Sequence, residues 1–131
     1  MQIRKSTGGI NNTVQQMLRE YNAQYMKDGG DYSYCIEENG HVVAGIVASA
    51  VFDTVEIEFL CVAEQYRGRG YGKLLLKRVE GEAAADHMKR ILLNTYSFQA
   101  PAFYEKMGYR QLFEIAPVFK DVSQHYFMKE L

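Results

Sequence analysis

The chain has 131 residues, 47% of them hydrophobic and 24% charged, which suits one globular domain spanning 1–131 and leaves no room for a second. Fifteen basic and sixteen acidic residues spread along it give a formal charge of -1, so no basic face advertises nucleic acid or an anionic membrane. No apolar run reaches membrane-spanning length and the start, MQIRKSTGG, lacks the apolar stretch of a secretory signal, so a reducing, cytoplasmic setting is expected.

The first element is a helix. Asn12 can cap it with Gln15 three residues on, and Val14, Met17, Leu18, Tyr21 and Tyr25 recur on one face until Gly29-Gly30 stops it. Three antiparallel strands follow. Tyr32, Tyr34 and Ile36 alternate with smaller or polar residues, Asn39-Gly40 supplies a hairpin turn, and Val42 to Phe52 runs on as a long apolar strand. After a tight turn near Asp53, the residues Val55, Ile57, Phe59 and Cys61 alternate with Glu56 and Glu58. Carried through unbroken, that alternation buries Phe59 and Cys61, and Cys35 and Cys61 read as buried free thiols because neither has the spacing of a zinc site.

From Gly72 to about Asp86 the period turns helical, with Leu75, Leu76, Val79 and Ala83 on one face, and Ile91-Leu92-Leu93 reads as a short buried strand. Strand, helix, strand implies a parallel pair. A shorter helix is predicted from about Pro101 to Lys106, with Gly108 at its exit, and two last strands near Gln111 to Ile115 and His125 to Lys129. The sum is an α/β domain with a mixed, mostly antiparallel sheet and helices on its faces.

The informative segment is Arg67-Gly68-Arg69-Gly70-Tyr71-Gly72, set between an apolar strand and an amphipathic helix. Glycine allows positive φ and a close approach to a ligand, and a helix start offers unpaired N–H groups with the positive end of the dipole, so the segment suits a phosphate. Arg67 and Arg69 could add charge-assisted contacts. Neither a dinucleotide fingerprint nor a P-loop fits: the first needs glycine at Lys73, or glycine or alanine at Leu75, and the second has Leu74 where Ser or Thr is required.

Arg67, Gly70 and Gly72 resemble the R/Q-x-x-G-x-G/A acetyl-coenzyme A motif of the GNAT superfamily of N-acetyltransferases. A second family motif, a short helix with a tyrosine ending in glycine-aromatic, is matched by the stretch from Ala100 through Tyr104 to Gly108-Tyr109. The resemblance implies a GNAT-like fold with a mostly antiparallel twisted sheet, one parallel strand pair, and acetyl-CoA as cosubstrate with no metal. It places pantetheine beside Leu60, Cys61 and Val62, pyrophosphate in the loop from Arg67, Gly68 and Arg69 through Gly70, Tyr71 and Gly72 to Lys73, and the acetyl group between that strand and the one ending near Asn94. Phe103 and Tyr104 complete the coenzyme site. Ser97 departs from the family pattern, where asparagine is common.

The expected reaction is acetyl transfer to a primary amine, on a small molecule or a protein, by direct attack in a ternary complex. An alkyl amine with a pKa of about 10.4 is almost wholly charged at pH 7, so a base is needed. Glu56 and Glu58, two apart on one strand face, supply candidates and suit a cationic acceptor. Tyr104 matches the tyrosine that hydrogen-bonds the departing thiolate. The alternative is an acyl-CoA-binding sensor without turnover. A homodimer through the C-terminal strands follows from the same family analogy.

Overall fold

The computed structural model describes residues 1–131, apart from the side chain of Asp28. Chain order is α1 (Gly8–Asn22), β1 (Asp28–Asp31), β2 (Tyr34–Glu38), β3 (His41–Val51), β4 (Thr54–Val62), a 3-10 turn (Glu64–Tyr66), α2 (Tyr71–Ala85), β5 (Arg90–Tyr96), α3 (Pro101–Lys106), β6 (Arg110–Phe119) and β7 (Val122–Glu130). The seven strands form one sheet in the order β1-β3-β4-β5-β7-β6, with β2 also on β3. Every pair is antiparallel except β4 and β5. The expected mixed sheet is therefore the one observed.

Two elements differ at the amino end. Thr7, not Asn12, caps α1, its hydroxyl accepting from the Ile10 N–H at 3.5 Å, and none of the helix's residues is buried. Gly29-Gly30, expected to do no more than end the helix, lies inside the extra strand β1. A Cβ on Gly29 would stand 2.7 Å from the Ala50 Cβ and 2.8 Å from the Phe52 carbonyl oxygen, so only glycine lets β1 come this close to β3. The β2–β3 hairpin turns as expected on Asn39 and Gly40, with φ of 52° and 79°.

Helix α2 covers one face of the sheet. Its Leu75, Leu76, Val79 and Ala83 join a buried cluster with Ala44, Ile46, Ala48 and Ala50 of β3, Val55 and Ile57 of β4, Ile91 and Leu93 of β5, and Phe127 of β7. Alanine at alternate positions of β3 leaves room for a helix at close range. Short helix α3 packs on the same side through Tyr104, and its exit at Gly108 has φ of +90°. No helix is long and apolar enough to cross a membrane among the described residues.

The apolar alternation of β4 breaks once. Val47 pairs with Phe59 and Ala48 with Ile57, so Glu58 is an extra residue, a β-bulge. Beyond it the faces exchange: Leu60 and Val62 turn toward α2 and pack on the core, while Phe59 and Cys61 are exposed. This corrects the sequence expectation that Phe59 and Cys61 lie inside, and Cys35 is likewise exposed.

Candidate active site

Strands β4 and β5 are zipped over only three steps, Thr54 to Arg90, Val55 to Ile91 and Glu56 to Leu92. Past Glu56 they part. The remainder of β4, from the bulge at Glu58 through Val62, keeps its ladder to β3, while β5 from Leu93 to Tyr96 continues its ladder to β7. A wedge-shaped split therefore opens in mid-sheet, and the bulge at its mouth sharpens the local twist.

The glycine loop lies at the end of the split. Gly68 and Gly70 have φ of 78° and 82°, in the left-handed region, and a Cβ on either would meet nothing within 4 Å. Gly70 also serves as N-cap of α2 and offers no side chain to the helix start. The first N–H groups of α2 are thus uncapped by a side chain, and the loop in front of them is free of Cβ atoms. Gly72 faces inward, where a Cβ would lie 3.7 Å from the Phe103 ring and 3.9 Å from a Val62 methyl; Phe103, Gly72 and Val62 thus close the base of the loop.

The two arginines are partly committed. Arg67 donates through Nε to the Val62 carbonyl at 3.0 Å, and Arg69 donates through Nη2 to the Gln65 carbonyl at 3.3 Å while lying 4.8 Å over the Tyr66 ring. These bonds tie the loop to the end of β4 and use one edge of each guanidinium. Tyr71 hydrogen-bonds Glu38 and stacks on Tyr66 at 6.2 Å, which fixes the first turn of α2 from the other side. Lys73 is exposed on that turn.

Tyr104 is buried on α3, its ring 5.1 Å from Phe103, 5.7 Å from Tyr109 and 6.1 Å from Phe127. No described side chain hydrogen-bonds its hydroxyl, and burial pushes the phenol from 10.0 up to about 12. Ser97 is exposed, its Oγ accepting from the Ser123 N–H at 3.1 Å. Asn94 pairs with Tyr126 on the face away from α2, its Oδ1 accepting from Gln124 Nε2 at 3.0 Å. Glu56 and Glu58 are both exposed on that open face, either side of buried Ile57. The predicted site residues therefore fall into two groups, the loop, Phe103 and Tyr104 on the α2 side and the carboxylates with Asn94 on the other, with the split between them.

Two features escaped the sequence reading: the commitment of Arg67 to Val62 and a buried cluster below Tyr104. In that cluster Tyr109 donates to Glu80 Oε2 at 2.9 Å, and Lys129 Nζ stands 3.3 Å from both Glu80 oxygens and 2.8 Å from the Met107 carbonyl oxygen. Glu80 falls between Leu76 and Ala83 at helical spacing, which marks it as inward facing.

Sheet, split and open helix start are together those of an acetyltransferase. The family model described as acetyltransferase (GNAT) family matches residues 6–109, and the chain belongs to that family. It is 30% identical over 100 residues to blasticidin-S acetyltransferase of Streptomyces morookaense, covering 76% of this chain and 74% of that one. Among solved structures it is similar to an acetyltransferase from Bacillus cereus ATCC 14579, with a TM-score of 0.81, 32% identity, and 100% and 98% of the two chains covered. A GNAT family acetyltransferase from Elizabethkingia anophelis, solved with acetyl-CoA bound, shares the fold at a TM-score of 0.65 and 23% identity over 88% of this chain and 83% of that one.

Proposed function

We propose that this enzyme moves an acetyl group from acetyl-CoA to a primary amine on a small molecule, by direct attack within a ternary complex. The split between β4 and β5 carries the reading, because it joins an open anion-binding helix start on one side to a pair of carboxylates on the other. The diphosphate would take the first N–H groups of α2 and the Cβ-free approach past Gly68 and Gly70, with Arg69 and Lys73 as supporting charge. The pantetheine amides would continue the β4 ladder at Leu60, Cys61 and Val62, where β5 no longer pairs. Backbone N–H groups at Cys61 and Val62 would hold the oxyanion.

The amine enters from the open face. Glu58 is the better base, since it stands at the bulge where the split begins, whereas Glu56 lies where the two strands are still zipped. Tyr104 serves the leaving thiolate as a hydrogen-bond donor. With its phenol at about 12 against about 8.5 for a thiol, full proton transfer would be uphill by roughly 5 kcal/mol, so the proton stays on the tyrosine while the bond stabilises the sulfur. The likeness to blasticidin-S acetyltransferase supports a small-molecule acceptor.

Thiol release from acetyl-CoA, followed across a panel of amines headed by blasticidin S and simple diamines, tests the proposal. Turnover with at least one amine is expected. Tight acetyl-CoA binding with no turnover on any amine would overturn it in favour of a coenzyme-sensing module.

A further inference from the structure

Strand β7 carries a second cluster of reactive groups, outside the split. Ser123 and His125 lie two apart on it, on the same face as buried Phe127 and so on the α2 side of the sheet. Ser123 Oγ stands 2.8 Å from His125 Nε2, and Gln111 Oε1 stands 2.7 Å from Nδ1, with a Glu114 carboxylate oxygen 3.7 Å from the same nitrogen. The His125 side chain is only 14% exposed, and its ring stacks on Phe127 at 6.5 Å. None of these residues belongs to the glycine loop or to the open face with Glu56 and Glu58.

A bulge in β6 assembles the cluster. Residues three apart on a regular strand face opposite ways, yet Gln111 pairs with Phe127 and Glu114 with His125, because Leu112 is an extra residue between Gln111 and Phe113. Both side chains therefore reach the imidazole. The Glu114 carboxylate can only accept, so it draws the ring proton to Nδ1 whichever way the Gln111 amide is turned. Nε2 then keeps its lone pair, and the Ser123 hydroxyl donates to it. A hydroxyl beside its base, with the base oriented by a third group, is the arrangement that activates a nucleophile.

The surroundings of Ser123 suit an incoming group. It has no paired residue on β6, where the register passes from Ile115 opposite Gln124 to Phe119 opposite Val122 and residues 116–118 loop out between them. On the β5 side its N–H donates to Ser97 Oγ at 3.1 Å, and its carbonyl accepts from the Ser97 N–H at 2.8 Å. Ser97 is exposed, and its own hydroxyl hydrogen has no acceptor among the described residues. That hydrogen is a donor for negative charge developing on an acyl group at Ser123.

We propose that Ser123 and His125 form a second catalytic centre, which hydrolyses small acyl esters without coenzyme A. Ser123 Oγ attacks the ester carbonyl carbon while its proton passes to His125 Nε2. The bond to the leaving alkoxide breaks as Nε2 returns that proton to it, leaving an acyl-serine. Water then repeats the sequence, giving the carboxylic acid and the free hydroxyl. Gln111 and Glu114 are positioning residues that hold the imidazole. Because the site lies on the sheet face away from the two carboxylates, the proposal is independent of the amine reading above.

Two measurements on the full chain test it: hydrolysis of p-nitrophenyl acetate with no coenzyme A present, and labelling by a fluorophosphonate probe followed by peptide mapping. The wild type is expected to carry the label on Ser123 and to hydrolyse the ester. Ser123→Ala should lose the label and at least about a hundredfold of the hydrolysis rate, and His125→Gln about as much. Far-UV circular dichroism and amine turnover with acetyl-CoA, both expected unchanged, verify that the variants are folded. Wild-type protein that takes no label at Ser123 would overturn the proposal, and that result needs no variant. So would a folded Ser123→Ala that hydrolyses the ester as fast as the wild type.

Discussion

Tyr109 donates its hydroxyl hydrogen to Glu80 at 2.9 Å, joining the residue just past the end of α3 to the middle of α2. Lys129 completes the tie by reaching both the Glu80 carboxylate and the Met107 carbonyl, so three elements meet beneath Tyr104. Burial in the first place, and the Glu80 carboxylate after it, holds the Tyr109 phenol strongly on its neutral form. Tyr109→Phe leaves the carboxylate short of one donor and is expected to cost about 1.5 to 3 kcal/mol, the range for a bond to a charged group. Glu80→Ala strands the Lys129 ammonium and should cost about 3 kcal/mol. Urea unfolding of both single variants and the double variant measures the coupling; additive losses would mean the three groups do not act together.

Tyr104→Phe should separate chemistry from folding. The hydroxyl has no described side-chain partner, so unfolding free energy is expected to change by less than about 1 kcal/mol, while kcat falls about tenfold to a hundredfold with the KM for acetyl-CoA nearly unchanged. Steady-state kinetics beside thermal denaturation checks both halves.

The alkaline limb of stability has a definite sign. Tyr104 has a folded pKa of about 12 against an ordinary 10.0, and the Tyr109 phenol is also raised. Each contributes in full below about pH 10, and the contribution is lost as pH rises through the folded value, up to about 2 to 3 kcal/mol for Tyr104. Urea midpoints should fall above pH 10, less steeply in Tyr104→Phe than in the wild type. Equal slopes would show that this phenol does not set the alkaline limit.

At the loop, Gly70→Val places a β-branched residue at φ of 82° with open space around its Cβ. The folding cost is backbone strain alone, roughly 1 to 2 kcal/mol, but the new side chain fills the approach to the α2 N–H groups. Coenzyme A affinity is expected to weaken tenfold or more by calorimetry, and unchanged affinity would remove the loop from the coenzyme site.

The two carboxylates should answer differently. Glu58→Gln is expected to lower kcat by about a hundredfold, and Glu56→Gln to lower it less than tenfold. The reverse order would move the base to Glu56.

Much of the frame was legible because its signals are local. The period of Leu75, Leu76, Val79 and Ala83, the Asn39-Gly40 turn and the Pro101 start each depend on a few neighbouring residues, and each lies where expected. What was missed depends on partners distant in sequence. The bulge at Glu58 is set by register against β3, so Phe59 and Cys61 read as inward although they face out. The extra strand β1 exists because Gly29 can approach Ala50, a contact no local pattern announces. The apolar stripe of α1 was correctly seen, but its period cannot say whether the chain itself will cover it.

The bulge in β4 carries one more consequence. Pairing Glu58 with Val47 and so ironing the bulge out would shift the rest of β4 by one residue, rotating Phe59 and Cys61 inward and pushing Leu60 and Val62 out of the core. The Val62 methyl beneath Gly72 and the Val62 carbonyl that anchors Arg67 would move together. A single added amino acid thus keeps a hydrophobic strand and a polar ligand edge in phase along one backbone.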